Sequence, residues 1–598
     1  MNENISTKTP PFINKKSLKN EISFNKRAFN RMLKRANPWL KSLAFSADRP
    51  DFIEDRRQAC LKRLKADRDH WNAWADAMLE SKALLEMAGQ WQVVDRTGYW
   101  APRLGEPSLE EGANAETRRW LDLAYCDFRG HIFDASPILV GFRFPGVADF
   151  GVIETGAGLQ RTCFPDGVNF AGAVFEGHAL FSHTVFGGGG PNFIGVQFRH
   201  EAFFLGAIFE GQAEFNRVNF SGLVTFDSAE FREFLTMAEA SFTESLSVNG
   251  TVFHDVVSFE SARFQDEAFF DGAKFRDFVL FQDAHFASMA LFGTTEFLIG
   301  ASFIGTTFSG DVYFSLKPGE YKHKKPCRFN GAMVFRRAIF ERAVIFDDAT
   351  FEYESDFVAI QAKSLFSITG VTFKGIPDFS QADFKQAPQL DQAHFLEGKR
   401  MPNRDSDFDP LARSRGSENE KIELPARYRA LKRLAIQSHD FRNELDFHAE
   451  ELKARRGVID FPFGRGMGSY WFGIIYEITS DFGRSLLRPL VCWLVLLVLS
   501  ASAYFAAQLV RPDHCSSIES AAYIAIRKGI AIVNTEAAEK TKQAYACLYG
   551  NEATSVAGSI PIAVVPYVVE AVAITQTLVS GALLFLLILA LRNRFRIR

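Results

Sequence analysis

Several things are missing from this chain. None of its seven cysteines, Cys60, Cys126, Cys163, Cys327, Cys492, Cys515 and Cys547, belongs to a Cys-x-x-Cys pair. That spacing excludes a zinc ribbon and a dense disulfide framework. No phosphate loop, no Gly-x-Ser-x-Gly elbow, no His-Glu-x-x-His pair and no dinucleotide fingerprint is present, so no catalytic residue, cofactor or metal ligand is assigned and a non-enzymatic role is expected. The opening segment MNENISTKTPPFINKKSLKN has no apolar stretch of the kind a secretory signal needs, so the N-terminal bulk is expected to remain in the cytoplasm. Charge imbalance is absent too: 68 basic residues face 71 acidic ones. What the chain does have is phenylalanine, 61 in 598 residues.

The phenylalanines are periodic. They fall at Phe170, Phe175, Phe181, Phe186, Phe193, Phe198, Phe204, Phe209, Phe215, Phe220, Phe226 and Phe231. Met237, Phe242, Val248 and Phe253 continue the series. Phe259, Phe264, Phe270, Phe275, Phe281, Phe286, Phe292, Phe297, Phe303, Phe308 and Tyr313-Phe314 complete it. The steps alternate five and six, with one slip at GGGGP, and 25 of the 27 ladder positions from 170 to 314 are Phe. Two residues before each rung runs a second ladder of small residues, Ala, Val or Thr at 24 of the 27 positions.

A helix cannot make one stripe of this pattern, because at about 100° per residue steps of five and six scatter the rings around the axis. Residues 161 to 314 also hold 17 glycines, each costing about 1 kcal/mol in a helix interior. A short strand, a tight turn and one large inward residue on each side of a prism satisfy both ladders, and a fixed period marks a solenoid. GAKFRDFVLFQDAHF, FLGAIFEGQAEF and FDSAEF resemble the pentapeptide-repeat family, with Phe where many members carry Leu. The resemblance covers roughly residues 123 to 395 and implies a mainly β fold, a right-handed quadrilateral β-helix of ten to twelve coils. Here each coil would take about 22 residues instead of 20. Interruptions are expected at 151 to 163 and at the basic insertion SLKPGEYKHKKPCR, 315 to 328, which should project from the rod.

The flanks divide the rest. Residues 1–50 are a basic arm, with ten Lys or Arg up to position 45, expected as a solvated arm or as a helix on an anionic membrane surface. Residues 51–122 form a helical cap for the open end of the solenoid at 123–400, and the charged, proline-bearing stretch 401–424 is a linker. Residues 425–488 give two amphipathic helices broken near Ser438 to Asp440, then an aromatic approach, SYWFGIIYEITSDFG. His448 beside Glu450 and Glu451 lacks metal-ligand spacing and is expected on a solvated helix face.

Two uncharged runs, 489–510 and 571–591, are each long enough to span a hydrocarbon core. Arg484 and Arg488 precede the first; Arg592, Arg594, Arg596 and Arg598, in a basic tail at 592–598, follow the second. By the positive-inside rule both ends are cytoplasmic and 511–570 is an extracytoplasmic loop. Only Cys515 and Cys547 then lie in oxidising surroundings, and a disulfide between them is expected. The segment resembles the C-terminal module of membrane-bound pentapeptide-repeat proteins of bacteria, which implies the inner membrane, membrane lipids as partners and a multi-pass topology.

Three functions fit this layout. The first is a membrane-tethered scaffold docking a cytoplasmic protein. The second is an acidic DNA mimic binding a topoisomerase, as soluble pentapeptide-repeat proteins do, since residues 161 to 314 carry 19 acidic against 7 basic residues. Asp227 with Glu230 and the other outward carboxylates equally serve to keep a β-rod soluble, and no nucleic-acid partner is expected. The third is a two-span homo-oligomeric channel, because IESAAYIAIRKGIAIV between the spans is laid out like a pore helix, with CLYGN at 547 to 551 in place of a selectivity signature.

Overall fold

The computed structural model describes residues 26–40, 50–91, 114–155, 158–315, 327–396, 417–457, 467–508, 517–530, 535–550 and 567–595. It divides into two units, Met1–Arg415 and Gly416–Arg598.

The first unit is a parallel β-solenoid of about 12 turns. Four sheets of 11, 11, 9 and 11 strands make its faces. In chain order the first face runs from Cys126–Asp127 to Phe366–Ser367, the second from Cys163–Phe164 to His394–Phe395, the third from Val168–Asn169 to Ser355–Asp356, and the fourth from Arg143–Phe144 to Asp383–Phe384. Phe198 pairs with Phe220 and Phe220 with Phe242, so a coil is 22 residues.

The alternation of five and six is a turn rule. Short corners follow the inward ring on the first and third faces: Ala173 N–H bonds Phe170 O at 2.8 Å, and the third residue of the turn, Gly172, has a φ of 65°. Where that residue is not glycine the same φ recurs, as at Arg217, Glu239 and Asp348. The other two corners take one more residue.

Every ladder ring named above is sealed, Phe170 to Phe308 lying at 0–1% exposure. Rings stack along the axis, Phe150 on Phe181 at 4.8 Å and 2°, Phe209 on Phe231 at 4.2 Å and 5°. They meet edge to face across it, Phe204 on Phe215 at 5.7 Å and 83°. Both are favoured aromatic geometries. Burying one such side chain is worth roughly 1.5 to 3 kcal/mol. Where the small ladder carries Thr, its hydroxyl is buried and donates to an inner carbonyl: Thr184 to Phe150 O and Thr251 to Phe226 O, both at 2.7 Å. Polar atoms in the core are thereby satisfied.

Extra residues leave the coil without breaking register. At 151–163 the interruption is an antiparallel hairpin, Val152–Thr155 with Gly158–Arg161, and Phe144 pairs with Phe175, 31 positions on. The GGGGP slip makes one coil 23, with Phe186 against Phe209. Across the basic insertion Phe297 pairs with Phe329, 32 positions on. Residues 316–326 of that insertion lie outside the described residues, so its expected projection does too.

Four helices close the N-terminal end: α1 Lys26–Ala36, α2 Pro50–Ala66, α3 Arg68–Met87 and α4 Ala115–Ala124. Trp71 of α3 is fully buried against Phe128, Phe142 and Phe144, and its Nε1 donates to Arg143 O at 2.7 Å. α1 corrects the reading of the basic arm. Its Phe29 and Leu33 are buried, and Arg119 donates to Asn30 Oδ1 at 2.9 Å, so this face belongs to the cap and not to solvent or lipid.

The second unit is helical: α5 Ser417–Gln437, α6 Phe441–Gly457, α7 Met467–Ser480, α8 Leu487–Gln508, α9 Ile518–Gly529, α10 Thr535–Tyr549 and α11 Tyr567–Phe595. The break between α5 and α6 falls where expected, at His439 with a φ of 56°. Two runs, Leu487–Ala507 and Tyr567–Arg594, are long and apolar enough to cross a membrane.

Candidate functional site

The ladder is interior, so chemistry available to another molecule lies on the outward residues. On the first face the outward position of successive strands holds Leu180, Phe203, Thr225, Ser247, Phe269, Leu291, Tyr313 and Ile345. Ala202 and Phe204 point inward at 0% exposure, while Phe203 between them is half-buried, as are Phe269, Tyr313 and Ile345. Apart from Thr225 and Ser247 on two consecutive rungs, the positions of this outward stripe are apolar, with Leu180 and Leu291 largely covered.

The two large insertions leave the rod at either end of the stretch from Leu180 to Tyr313, and Ile345 stands one rung beyond the second. The hairpin leaves the coil after Asp149 and returns at Cys163; the basic segment leaves after Ser315 and returns at Cys327. Each therefore departs from the corner joining the first face to the second. Seven rungs separate the strands that feed them, Ala148–Asp149 and Val312–Tyr313. At about 4.8 Å per rung that is roughly 34 Å. Sequence reading missed the stripe, although its signal is visible in aromatic doublets: AFFLG, AFFDG and VYF each place one ring inside and one outside.

Elsewhere the surface is ion-paired along the axis. Arg232 meets Glu210 at 2.9 Å, Arg217 meets Glu239 at 3.2 Å, Lys363 meets Glu341 at 2.7 Å and Lys374 meets Glu352 at 2.7 Å, each one coil away.

Where the cap meets the first coil a charged cluster is buried. The Arg56 guanidinium lies 4.4 Å over the Tyr125 ring and 3.5 Å from Asp127. Arg129 reaches Asp127 at 2.9 Å and Asp149 at 3.7 Å, and the Tyr125 hydroxyl donates to Asp149. Burial pushes the Asp149 carboxyl up to about 6, against the pull of Arg129. Burial acts on Asp127 in the same direction, but hydrogen bonds and charge from Arg129, with Arg56, hold it below the ordinary range. The free thiols of Cys60 and Cys126 are buried beside this cluster. Among the described residues no group of His, Cys, Asp and Glu is arranged to hold a metal ion.

In the second unit, Glu451 is 2% exposed and accepts from three cations: Arg429 at 3.0 Å, Lys432 at 2.6 Å and Arg455 at 2.6 Å. His448 Nδ1 lies 3.5 Å from Lys432 Nζ, so this corner is an ionic clasp between α5 and α6 and not the solvated face expected for it.

Arg484 pairs with Asp446 at 3.1 Å and with Asp481 at 2.9 Å, and Arg488 reaches Asp481 at 3.7 Å. Asn593 at the end of α11 donates to Gly483 O at 3.4 Å, just before α8 begins. The two apolar helices thus run antiparallel, with Arg484, Arg488, Arg592 and Arg594 at one end; Arg596 and Arg598 lie outside the described residues. On α7, Trp471, Phe472, Ile475 and Ile478 form an exposed stripe.

The segment between the apolar helices is not a simple loop. α9 packs against both α8 and α11. Gln576 Nε2 donates to Ala525 O at 2.6 Å, while its Oε1 accepts from the Tyr504 hydroxyl at 2.7 Å. Cys547 of α10 is disulfide-bonded, whereas Cys60, Cys126, Cys163, Cys327 and Cys492 are free. Cys515, its expected partner, lies outside the described residues.

No family model, no curated protein and no solved structure matches the chain. The class that the geometry defines is a β-solenoid repeat protein carrying two helices long and apolar enough to cross a membrane.

Proposed function

We propose that the chain is a non-catalytic scaffold of the pentapeptide-repeat type, tethered by α8 and α11 to a bacterial inner membrane, with the solenoid and both arginine-bearing ends in the cytoplasm. The first face of the rod docks a protein partner. One observation carries this reading: the outward side chains of Phe203, Phe269 and Tyr313 lie between the two rungs at which insertions leave a single corner. Rimmed apolar strips on an otherwise charged surface are characteristic of docking sites. The acidic residues of the rod weigh against the DNA-mimic reading, because several are neutralised one rung away, as Glu210 is by Arg232.

The test compares cross-linked partners captured by the full chain, by the F203S/F269S/Y313S variant, and by a chain whose α8 to α11 segment is replaced with an unrelated anchor. Capture should fail in the stripe variant and survive the anchor exchange. Capture that ignores the stripe and follows the anchor removes the docking face.

A further inference from the structure

A helix ending between two spans poses a problem of solvation. α9 begins at Ser517, which caps it by accepting from Ser520 N–H, and it stops at Gly529. There Trp493 Nε1 donates to Gly529 O at 3.4 Å, and a Cβ on Gly529 would stand 2.4 Å from Leu497 Cδ2 and 3.6 Å from Ser580 Oγ. Leu497 is the middle residue of the run Leu487–Ala507, and Ser580 stands at the middle of Tyr567–Arg594. α9 therefore enters beside the spans and stops halfway along both.

α10 goes back the way α9 came. Ser520 near the start of α9 meets Cys547 near the end of α10 at 3.6 Å, and the Tyr549 hydroxyl donates to Tyr504 O at 2.7 Å, three residues short of the end of the first run. The pair is a re-entrant hairpin. At Gly529 it packs closely on the first run, where a Cβ would force the end of the Leu497 side chain to shift.

The last turn of α9 carries Arg527 and Lys528, and α10 carries Lys540 and Lys542, both exposed. Among the described residues none of these four cations has an ion-pair partner. Unpaired cations and helix ends at membrane depth persist only against water or protein, never against lipid tails. Two spans cannot surround such a face by themselves.

We propose that α9 and α10 line a water-filled, basic cavity at mid-membrane depth, enclosed between copies of this chain, that admits anions. The inference rests on the membrane reading of α8 and α11, and the experiment separates the two.

Ile526 is exposed beside Arg527, whereas Leu494 and Leu578 are exposed on the outer flanks of α8 and α11. Single variants I526C, L494C and L578C of the full chain are reacted in native membranes with membrane-impermeant thiosulfonates, anionic and cationic, and with a permeant maleimide, each site being read by mass spectrometry. The expected result is that Ile526→Cys reacts with the impermeant reagents, the anionic one at least about fivefold faster, while the other two react only with the maleimide. Ile526→Cys responding to the maleimide alone overturns the cavity and leaves the spans standing. All three reacting with impermeant reagent means the spans themselves fail. A faster cationic reagent overturns the basic lining. Two differently tagged copies expressed together should co-purify in mild detergent; failure to do so overturns enclosure by copies of the chain.

Discussion

Ala362 and Phe366 exchange sizes. Ala362 sits at a large rung of the fourth face and Phe366, four residues on, at a small position of the first. The Phe366 ring fills the gap between Phe340 at 6.4 Å and Phe384 at 5.1 Å. The coil around residue 240 does the same with aliphatics: Leu235 and Leu246 occupy small positions beside Met237 and Val248 at large ones, all buried. Core volume is conserved rung by rung although the letters change.

From that relationship, Phe366→Ala alone should cost about 3 to 5 kcal/mol. A362F/F366A restores the regular ladder and should recover most of the loss, within about 1.5 kcal/mol of the parent. Hydrogen exchange at the amides of 361–373 measures both, and a double variant no better than the single one contradicts the exchange of roles.

Asp149 predicts a pH dependence. Its folded value of about 6 lies above that of an unfolded aspartate. The native state therefore holds more protons, so this group's contribution is complete below about pH 4 and is lost as pH rises through 6. The difference is on the order of 2–3 kcal/mol. Thermal unfolding followed by tryptophan fluorescence, to which Trp71, Trp74 and Trp120 of the cap contribute, should show from pH 4 to 7 a falling component that D149N lacks. Identical slopes in the two proteins would dispose of it.

Glu451 behaves in the opposite sense. Burial raises its carboxyl, yet the hydrogen bonds from Lys432 and Arg429 outweigh it and hold the group below the usual range. Its stabilisation is present above the ordinary glutamate value and is lost as pH falls through the folded value. E451Q leaves three cations facing one another and should cost about 3 kcal/mol at neutral pH. Unfolding of the purified chain in detergent tests this, and a cost below about 1 kcal/mol would mean that the clasp is solvated.

The disulfide at Cys547 is expected to join Cys515, closing a loop worth roughly 3.5 to 4 kcal/mol of unfolded-state entropy. Intact cells treated with an impermeant maleimide should label both positions only after reduction. Labelling without reductant removes the bridge, and no labelling even after reduction reverses the orientation.

The solenoid was legible because its core is written in one letter: the five and six steps from Phe170 to Phe314 are the corners themselves. The coil of 22 followed from the same spacing, and the cap from the helical pattern of residues 51–122 beside an open solenoid end. The size exchange at Ala362 and Phe366 was not legible, since volume is shared in space between faces. α1 escaped because Phe29 and Leu33 are only two apolar anchors among many charges. α9 itself was legible, as the helix-like IESAAYIAIRKGIAIV between the two runs, but its packing was not, because the clamp at Gln576 is a single amide inside an apolar run.

Because the insertions at 151 and 316 leave the same corner without disturbing register, the interval between them is counted in whole rungs. A rod so built is a caliper. The two points at which the insertions leave it stand roughly 34 Å apart, a length covered by a helix of about 23 residues or an extended segment of about ten. Adding or deleting one coil of 22 would lengthen or shorten the interval between the two exit points by about 4.8 Å, leaving every other contact on the face unchanged.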